Sequence, residues 1–150
     1  MNEELKVRKI KDGTVIDHIK GGAGKKVIDI LGIDGSLPET TVLLMNVPSK
    51  SVGRKDIVKI ENKALKKEEV DKIALVAPHA TWNVVKDYKV VNKSRIEIPD
   101  ELEGILKCPN PKCITNMGEP LKTKFRVEEK EPVRLRCNYC ERIIDLKDVL

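Results

Sequence analysis

Aromatic residues are nearly missing from this 150-residue chain, which has one Trp, two Tyr and one Phe. Trp82, Tyr88, Phe125 and Tyr139 cannot fill a core, so Val, Ile and Leu must build it. So few rings also leave little on which to stack bases, which argues against single-stranded RNA binding. Long apolar runs are absent as well: stretches such as Val42–Met45 fall far short of the roughly 20 residues that cross a bilayer. The first residues, Met1-Asn2-Glu3-Glu4-Leu5-Lys6, carry no apolar signal segment. A cytoplasmic protein with no membrane partner is expected. Histidine is scarce too, at His18 and His79 only, and no Ser-His-Asp set can be assembled by motif. Internal repeats and low-complexity tracts are lacking.

What is present is a charged, aliphatic chain: 40% hydrophobic, 35% charged, net +5. That is a globular composition, with room for one ordinary domain or two small ones. The positive charge is uneven. Residues 101–150 hold ten Lys/Arg against nine Asp/Glu, so most of the excess lies in residues 1–100.

Leu5–Ile10 alternates weakly as a strand, and Lys11-Asp12-Gly13 reads as a turn. β-Branched residues make Thr14–Ile19 extended. Lys25–Leu31 reads as a short helix stopped near Gly32. A buried strand is expected over Thr40–Val47, closed by Pro48, and an alternating strand over Asp56–Ile60. Leu65–Ala77 is the clearest helix, with Val70, Ile73, Ala74 and Ala77 on one face and Glu68 and Glu69 near its start. Thr81–Val85 and Tyr88–Lys93 form a hairpin around Lys86-Asp87.

The order predicts an α+β fold with an N-terminal antiparallel-sheet sandwich and two helices; a small C-terminal all-β domain is expected after it. Pro99-Asp100-Glu101 marks the break, giving domains 1–100 and 101–150.

All four cysteines fall in the second of these. Cys108, Cys113, Cys137 and Cys140 form C-x4-C, 23 residues, then C-x2-C. Each close pair fits one tight turn, and two such turns present four thiolates to one tetrahedral centre. Four sulfurs leave no open position for water, so one structural Zn2+ is expected, carrying much of that domain's folding free energy. Disulfides are disfavoured in the cytosol; iron in the same cage is the chemical alternative. Lys107, Lys112, Arg134, Arg136 and Arg142 are interleaved with Glu119, Glu128, Glu129, Glu131 and Glu141. With the 2− of a zinc tetrathiolate added, the domain lacks the dense basic patch that nucleic acid requires. A protein-docking role fits better and no nucleic-acid partner is expected, although nucleic-acid binding is the runner-up and a rubredoxin-like electron carrier the third reading. Gly21-Gly22-Ala23-Gly24-Lys25-Lys26 looks like a phosphate loop but lacks its spacing and its Ser/Thr, and reads as a mobile linker.

Many short blocks, in order, resemble one family. They are Gly13-Thr14-Val15-Ile16-Asp17-His18-Ile19, Gly53-Arg54-Lys55-Asp56, Lys59-Ile60-Glu61-Asn62, Ala77-Pro78, Ala80-Thr81, Asn83, Val90-Val91 and Lys93-Ser94-Arg95. The tail adds Cys108-Pro109-Asn110, Cys113-Ile114 and Cys137 with Tyr139-Cys140-Glu141. Over nearly its full length the chain resembles the regulatory chain of aspartate carbamoyltransferase, of pyrimidine biosynthesis.

The resemblance implies a non-catalytic subunit that pairs with a second copy and docks on the catalytic chain, three such dimers bridging two catalytic trimers. It implies nucleoside triphosphate effectors: CTP and ATP, with UTP as a possible co-effector. Carried over residue by residue, Lys93 holds the triphosphate and Lys59 lies near ribose and phosphate. His18 donates to phosphate, Asp17 accepts from ribose or an exocyclic amine, and Asn83 offers donor and acceptor. Val15, Val90 and the backbone near Ile10 and Tyr88 enclose the base. Trp82 is read as core or pocket wall; Arg54 and Lys55 support either the site or the dimer. Asn110, Glu141 and Arg142 on the zinc knuckles face the catalytic chain. The chain departs from the family pattern at Gly21–Gly24, over Ile33–Glu39 and at Lys112.

Overall fold

A computed structural model describes residues 9–36, 38–50 and 53–149. The chain separates into two compact units, Met1–Glu97 and Ile98–Leu150.

The first unit is a five-stranded antiparallel sheet in the order β2-β3-β1-β4-β5. Its strands are β1 (Gly13–Lys20), β2 (Thr41–Ser49), β3 (Gly53–Glu61), β4 (Thr81–Lys86) and β5 (Lys89–Arg95), with helices α1 (Gly24–Ile30) and α2 (Lys67–Val76). The expected α+β plan is the observed one. Period-two alternation sorts the strand side chains. On β1 and β3, Thr14, Ile16, Asp56, Val58 and Ile60 are all buried at 1% exposure or less. Val15, Lys55, Ile57 and Lys59 alternate with them onto the opposite face. α1 packs on β2, β3 and α2. Inside α2, Ile73, Ala74 and Leu75 are buried, as their helical spacing predicts. The Glu69 carboxylate accepts from the Lys66 N–H at 3.0 Å, satisfying one donor at the helix start.

Four local expectations are corrected. β2 does not close before Pro48 but runs to Ser49, with Pro48 opposite Arg54. Nor is it the buried strand expected: β2 is an edge strand with no fully buried residue, and there a missing N–H breaks no ladder. The hairpin turns on Asp87 and Tyr88, with φ of 51° and 66°, one residue later than Lys86-Asp87. β1 is not a plain strand: its register with β3 shifts between Ile16 and Ile19, a bulge in which His18 takes φ 57°. The Gly21–Gly24 segment is no mobile linker. Ala23 N donates to Lys20 O, and the Gly22 and Gly24 N–H groups donate to the Asp56 carboxylate. The expected strand over Leu5–Ile10 lies outside the described residues up to residue 8, and Lys9 and Ile10 belong to no strand.

The second unit is a four-stranded antiparallel sheet, β6-β7-β8-β9, made of Glu101–Glu103, Lys124–Lys130, Val133–Cys137 and Ile143–Asp145. Leu102, Phe125, Leu135 and Ile144 are its core, at 3% exposure or less. Single 3-10 turns occupy Ile114–Asn116 and Leu146–Asp148. Such a small core rarely suffices alone and calls for a metal or other staple. Among the described residues no helix is long and apolar enough to cross a membrane.

Candidate anion-binding face and metal centre

Opposite partners in an antiparallel ladder share a face. Lys59 stands opposite Val15, Val15 opposite Asn83, and Asn83 opposite Lys93. These four residues therefore form one row across β3, β1, β4 and β5, on the face turned away from Ile16 and Val58. Asn83 is 8% exposed, and its Nδ2 donates to Val15 O at 3.2 Å. Lys59 is half-buried and Lys93 exposed. Neither ammonium has a carboxylate partner among the described residues, so the row carries two uncompensated positive charges about a buried amide.

At one end of the row, Asp17 lies opposite Thr81, and Thr81 opposite Arg95. The bulge brings His18 to the same end, with Nδ1 3.1 Å from Thr81 Oγ1. Asp17 Oδ1 accepts from the His18 N–H at 2.6 Å and pairs with Lys55 Nζ at 2.9 Å. Lys55 is thereby tied to Asp17 within the first unit. Arg95 Nη2 lies 3.1 Å from His79 Nδ1. At the other end, Gly13 pairs with Val85 and Val85 with Val90. Tyr88 N donates to Lys11 O at 2.9 Å, tying the turn to the backbone beside Ile10, which is buried. The Tyr88 and Val90 side chains are 58% and 57% exposed, so they rim the face rather than enclose anything by themselves. Sequence reasoning did not single out Thr81 and Arg95, which the structure places beside Asp17. Only the strand register aligns them with Asp17, and only the β1 bulge brings His18 to them.

In the second unit the four cysteine sulfurs lie within 4.8 Å of one another. Cys108 and Cys140 Sγ are 3.8 Å apart, and Cys113 and Cys137 Sγ 3.7 Å. A tetrahedron with metal–sulfur bonds of about 2.3 Å has edges of about 3.8 Å, so the cage fits one Zn2+. Cys108, Cys113 and Cys137 are buried, Cys140 half-buried.

Burial first, then the neighbouring Cys140 and Cys137 thiols, push the Cys108 thiol up to about 12. Burial also raises Cys137. For Cys140, burial is again the largest influence and works upward. Hydrogen bonds from the Asn110 side chain and the Arg142 N–H, with the neighbouring thiols, outweigh it and hold this thiol down to about 7. A site that mixes protonated and ionised thiols so closely is what a dication resolves, by displacing the remaining protons.

The knuckles are built by backbone turns and two amides. Cys113 N donates to Asn110 O, and Cys137 N to Arg142 O, both at 3.0 Å. Asn116 Nδ2 donates to Cys108 O at 2.9 Å and to Asn110 O at 2.7 Å, closing the first knuckle from behind. Thr115 Oγ1 lies 3.1 Å from Cys113 Sγ. Asn116 and Thr115 were missed because they are not ligands and carry no spacing signal. Asn110 is 9% exposed, and its Oδ1 accepts from Lys112 N at 3.1 Å, so its side chain is committed within the knuckle. Glu141, at φ 62°, and Arg142 are exposed beside the second knuckle. Arg136 Nη1 donates to Glu141 O at 3.0 Å.

Comparison with known proteins agrees with both halves. Residues 5–97 match the family described as aspartate carbamoyltransferase regulatory chain, allosteric domain; residues 100–150 match the metal binding domain of the same chain. Among similar proteins are the aspartate carbamoyltransferase regulatory chains of Pyrococcus horikoshii, 58% identical over 148 residues, and Thermococcus kodakarensis, 54% over 149. These matches cover 98% and 99% of this chain and 97% of each relative. The counterpart from Methanothermobacter thermautotrophicus is 52% identical over 146 residues, covering 97% of this chain and 93% of the relative. With its sheet-and-helix unit, its four-cysteine unit fitted to one structural zinc, and this likeness over nearly every residue, the chain belongs to the family of aspartate carbamoyltransferase regulatory chains, non-catalytic subunits with an allosteric and a metal-binding domain.

Proposed function

We propose that residues 1–100 bind nucleoside triphosphate effectors, CTP and ATP with UTP as a co-effector, and that residues 101–150 dock the chain on the catalytic subunit. One observation carries the first half: Lys59, Val15, Asn83 and Lys93 form a single row whose two ammonium groups have no carboxylate partner among the described residues. Anionic phosphate suits two free point charges. The Asn83 amide and the Asp17 Oδ2 serve ribose or base, and the Ile10, Tyr88 and Val90 end receives the base. No nucleophile or metal relay stands in this row, so binding without turnover is the outcome. Unequal affinity for two arrangements of the assembly then shifts activity, and a coupling of about 1–3 kcal/mol is enough.

Docking is supported by the zinc knuckles and by exposed apolar side chains on the same unit: Ile114, Met117, Tyr139 and Ile143, at 48%, 58%, 44% and 55% exposure. Zinc holds the turns; the turns present Glu141, Arg142 and the backbone around Asn110 with this apolar rim. Pairing of two regulatory chains, and bridging of two catalytic trimers by three such pairs, complete the proposal.

The test is calorimetric titration of the zinc-loaded chain with CTP and ATP, for the parent and for Lys93→Ala. Weaker binding of both nucleotides by the variant is expected; equal affinity refutes the pocket. Docking is read on a sizing column with the cognate catalytic trimer. A larger complex should form with zinc and be lost after chelation.

A further inference from the structure

Asp56 has no part in the row just described, yet it is one of the most unusual groups in the first unit. It is fully buried, and no cation pairs with it among the described residues. Its partners are three backbone N–H groups: Asn46 at 2.8 Å on Oδ1, and Gly22 at 3.0 Å and Gly24 at 2.9 Å on Oδ2. Burying a carboxylate without such donors is prohibitive, and three charge-assisted hydrogen bonds meet that cost.

The donors stand where the sheet departs from regularity. Ile16 pairs with Val58 and Ile19 with Asp56, so Asp17 and His18 together oppose Ile57 alone. Plain alternation after Ile16 would turn His18 toward the core and Ile19 outward. Instead the bulge buries Ile19 completely and brings His18 round to Thr81. Gly22 lies in the turn that follows the end of β1 at Lys20, and Gly24 opens α1 just beyond it. Asn46, with φ 61°, sits in the second bulge, where the β2–β3 register shifts between Leu44 and Val47. A single carboxylate on β3 therefore ties down the exit of the β1 bulge and the centre of the β2 bulge.

We infer that Asp56 is a positioning residue for the nucleotide face: it holds the β1 bulge in the form that sets Asp17 and His18 beside Thr81 and Lys55. This rests on the nucleotide reading above. Asp56→Asn keeps the shape, removes the charge, and offers an N–H2 where an N–H now donates. Calorimetry on the zinc-loaded full chain should show CTP bound at least about tenfold more weakly by D56N. The double variant D56N/H18A should bind no more weakly than the worse single one, because both act through one element. D56N/K93A should show multiplied losses, since Lys93 lies on another strand. A folded D56N that binds like the parent, or losses that multiply with H18A, overturns the role. A parent that binds neither CTP nor ATP sinks the nucleotide reading, and the positioning role with it. Amide exchange of the parent gives a measure independent of the variant's folding. Saturating CTP should slow exchange at Gly22, Gly24 and Asn46 together, by about tenfold in the coupled case. Unchanged rates at all three overturn the role even where D56N does not fold.

Discussion

Gly24 and Asp56 approach too closely for any side chain to stand between them. The Gly24 N–H donates to Asp56 Oδ2 at 2.9 Å, and a Cβ on Gly24 would lie 2.8 Å from Asp56 Cβ and 2.7 Å from Leu43 Cδ1. In an open helix alanine would stabilise over glycine. Here overpacking dominates, and Gly24→Ala should destabilise the chain by about 1–3 kcal/mol. Urea unfolding of the first unit, followed by the fluorescence of Trp82, measures it; a variant as stable as the parent would contradict the contact.

Thr14 is fully buried on β1, and its Oγ1 donates to Lys63 O at 2.6 Å. Thr14→Val keeps the shape but leaves that carbonyl without its donor. A loss of about 1–3 kcal/mol is expected. Thr14→Ser, which keeps the hydroxyl, should retain most of the stability. Equal midpoints for Val and parent would show that the hydrogen bond contributes nothing.

Lys59 and Lys93 stand at the two ends of one row but differ in exposure, Lys59 half-buried and Lys93 open to solvent. A less hydrated ammonium interacts more strongly with phosphate and is screened less by salt. Lys59→Ala should therefore weaken CTP by more than Lys93→Ala, with charge-assisted contacts each giving roughly 1.5–3 kcal/mol. Titrations at low and high salt check the order, and the remaining salt dependence should be larger in K59A than in K93A.

Asn116 holds two carbonyls of the first zinc knuckle, those of Cys108 and Asn110, at 2.9 Å and 2.7 Å. Asn116→Ala frees both while leaving all four ligands in place. Outer partners of this kind alter metal affinity by about 10–100-fold. Zinc transfer to a colorimetric chelator should be faster to that extent, and Asn116→Asp, which accepts but cannot donate, should not restore it.

Zinc affinity should rise with pH, and the sign follows from the thiols. Cys108, pushed up to about 12, and Cys137, also raised, keep their protons in the metal-free fold at neutral pH. Zinc must displace both, and each displaced proton multiplies the apparent affinity about tenfold per pH unit. Cys140, held at about 7, has largely given up its proton above neutrality and adds to the slope only below it. Competition titrations near pH 8 should give a slope of log affinity of at least about two. A flat profile would mean that the thiols do not bind as thiolates. Chelation should lower the unfolding midpoint of residues 98–150 below that of the rest of the chain.

Short-range chemistry made much of this protein legible in the sequence. Period-two and period-3.6 alternation of Val, Ile and Leu is enough to find both helices and the five strands of the first unit, because burial on one face dictates it; the short strands of the second unit, interleaved with charge, were not placed. Two close cysteine pairs imply a tetrathiolate site, because metal geometry dictates that spacing. The blocks around Asp17, Lys59, Asn83 and Lys93 carry the family likeness. What stayed hidden depends on register. A bulge costs one residue and leaves no compositional mark, so the turn of His18 toward Thr81 and the joining of two bulges by Asp56 appear only when the strands are paired. Asn110 and Asn116 look alike in the sequence. Which closes the first knuckle from behind and which reaches Cys140 was decided by the folded turns, because an amide's role is set by the donors and acceptors that tertiary structure brings within about 3 Å.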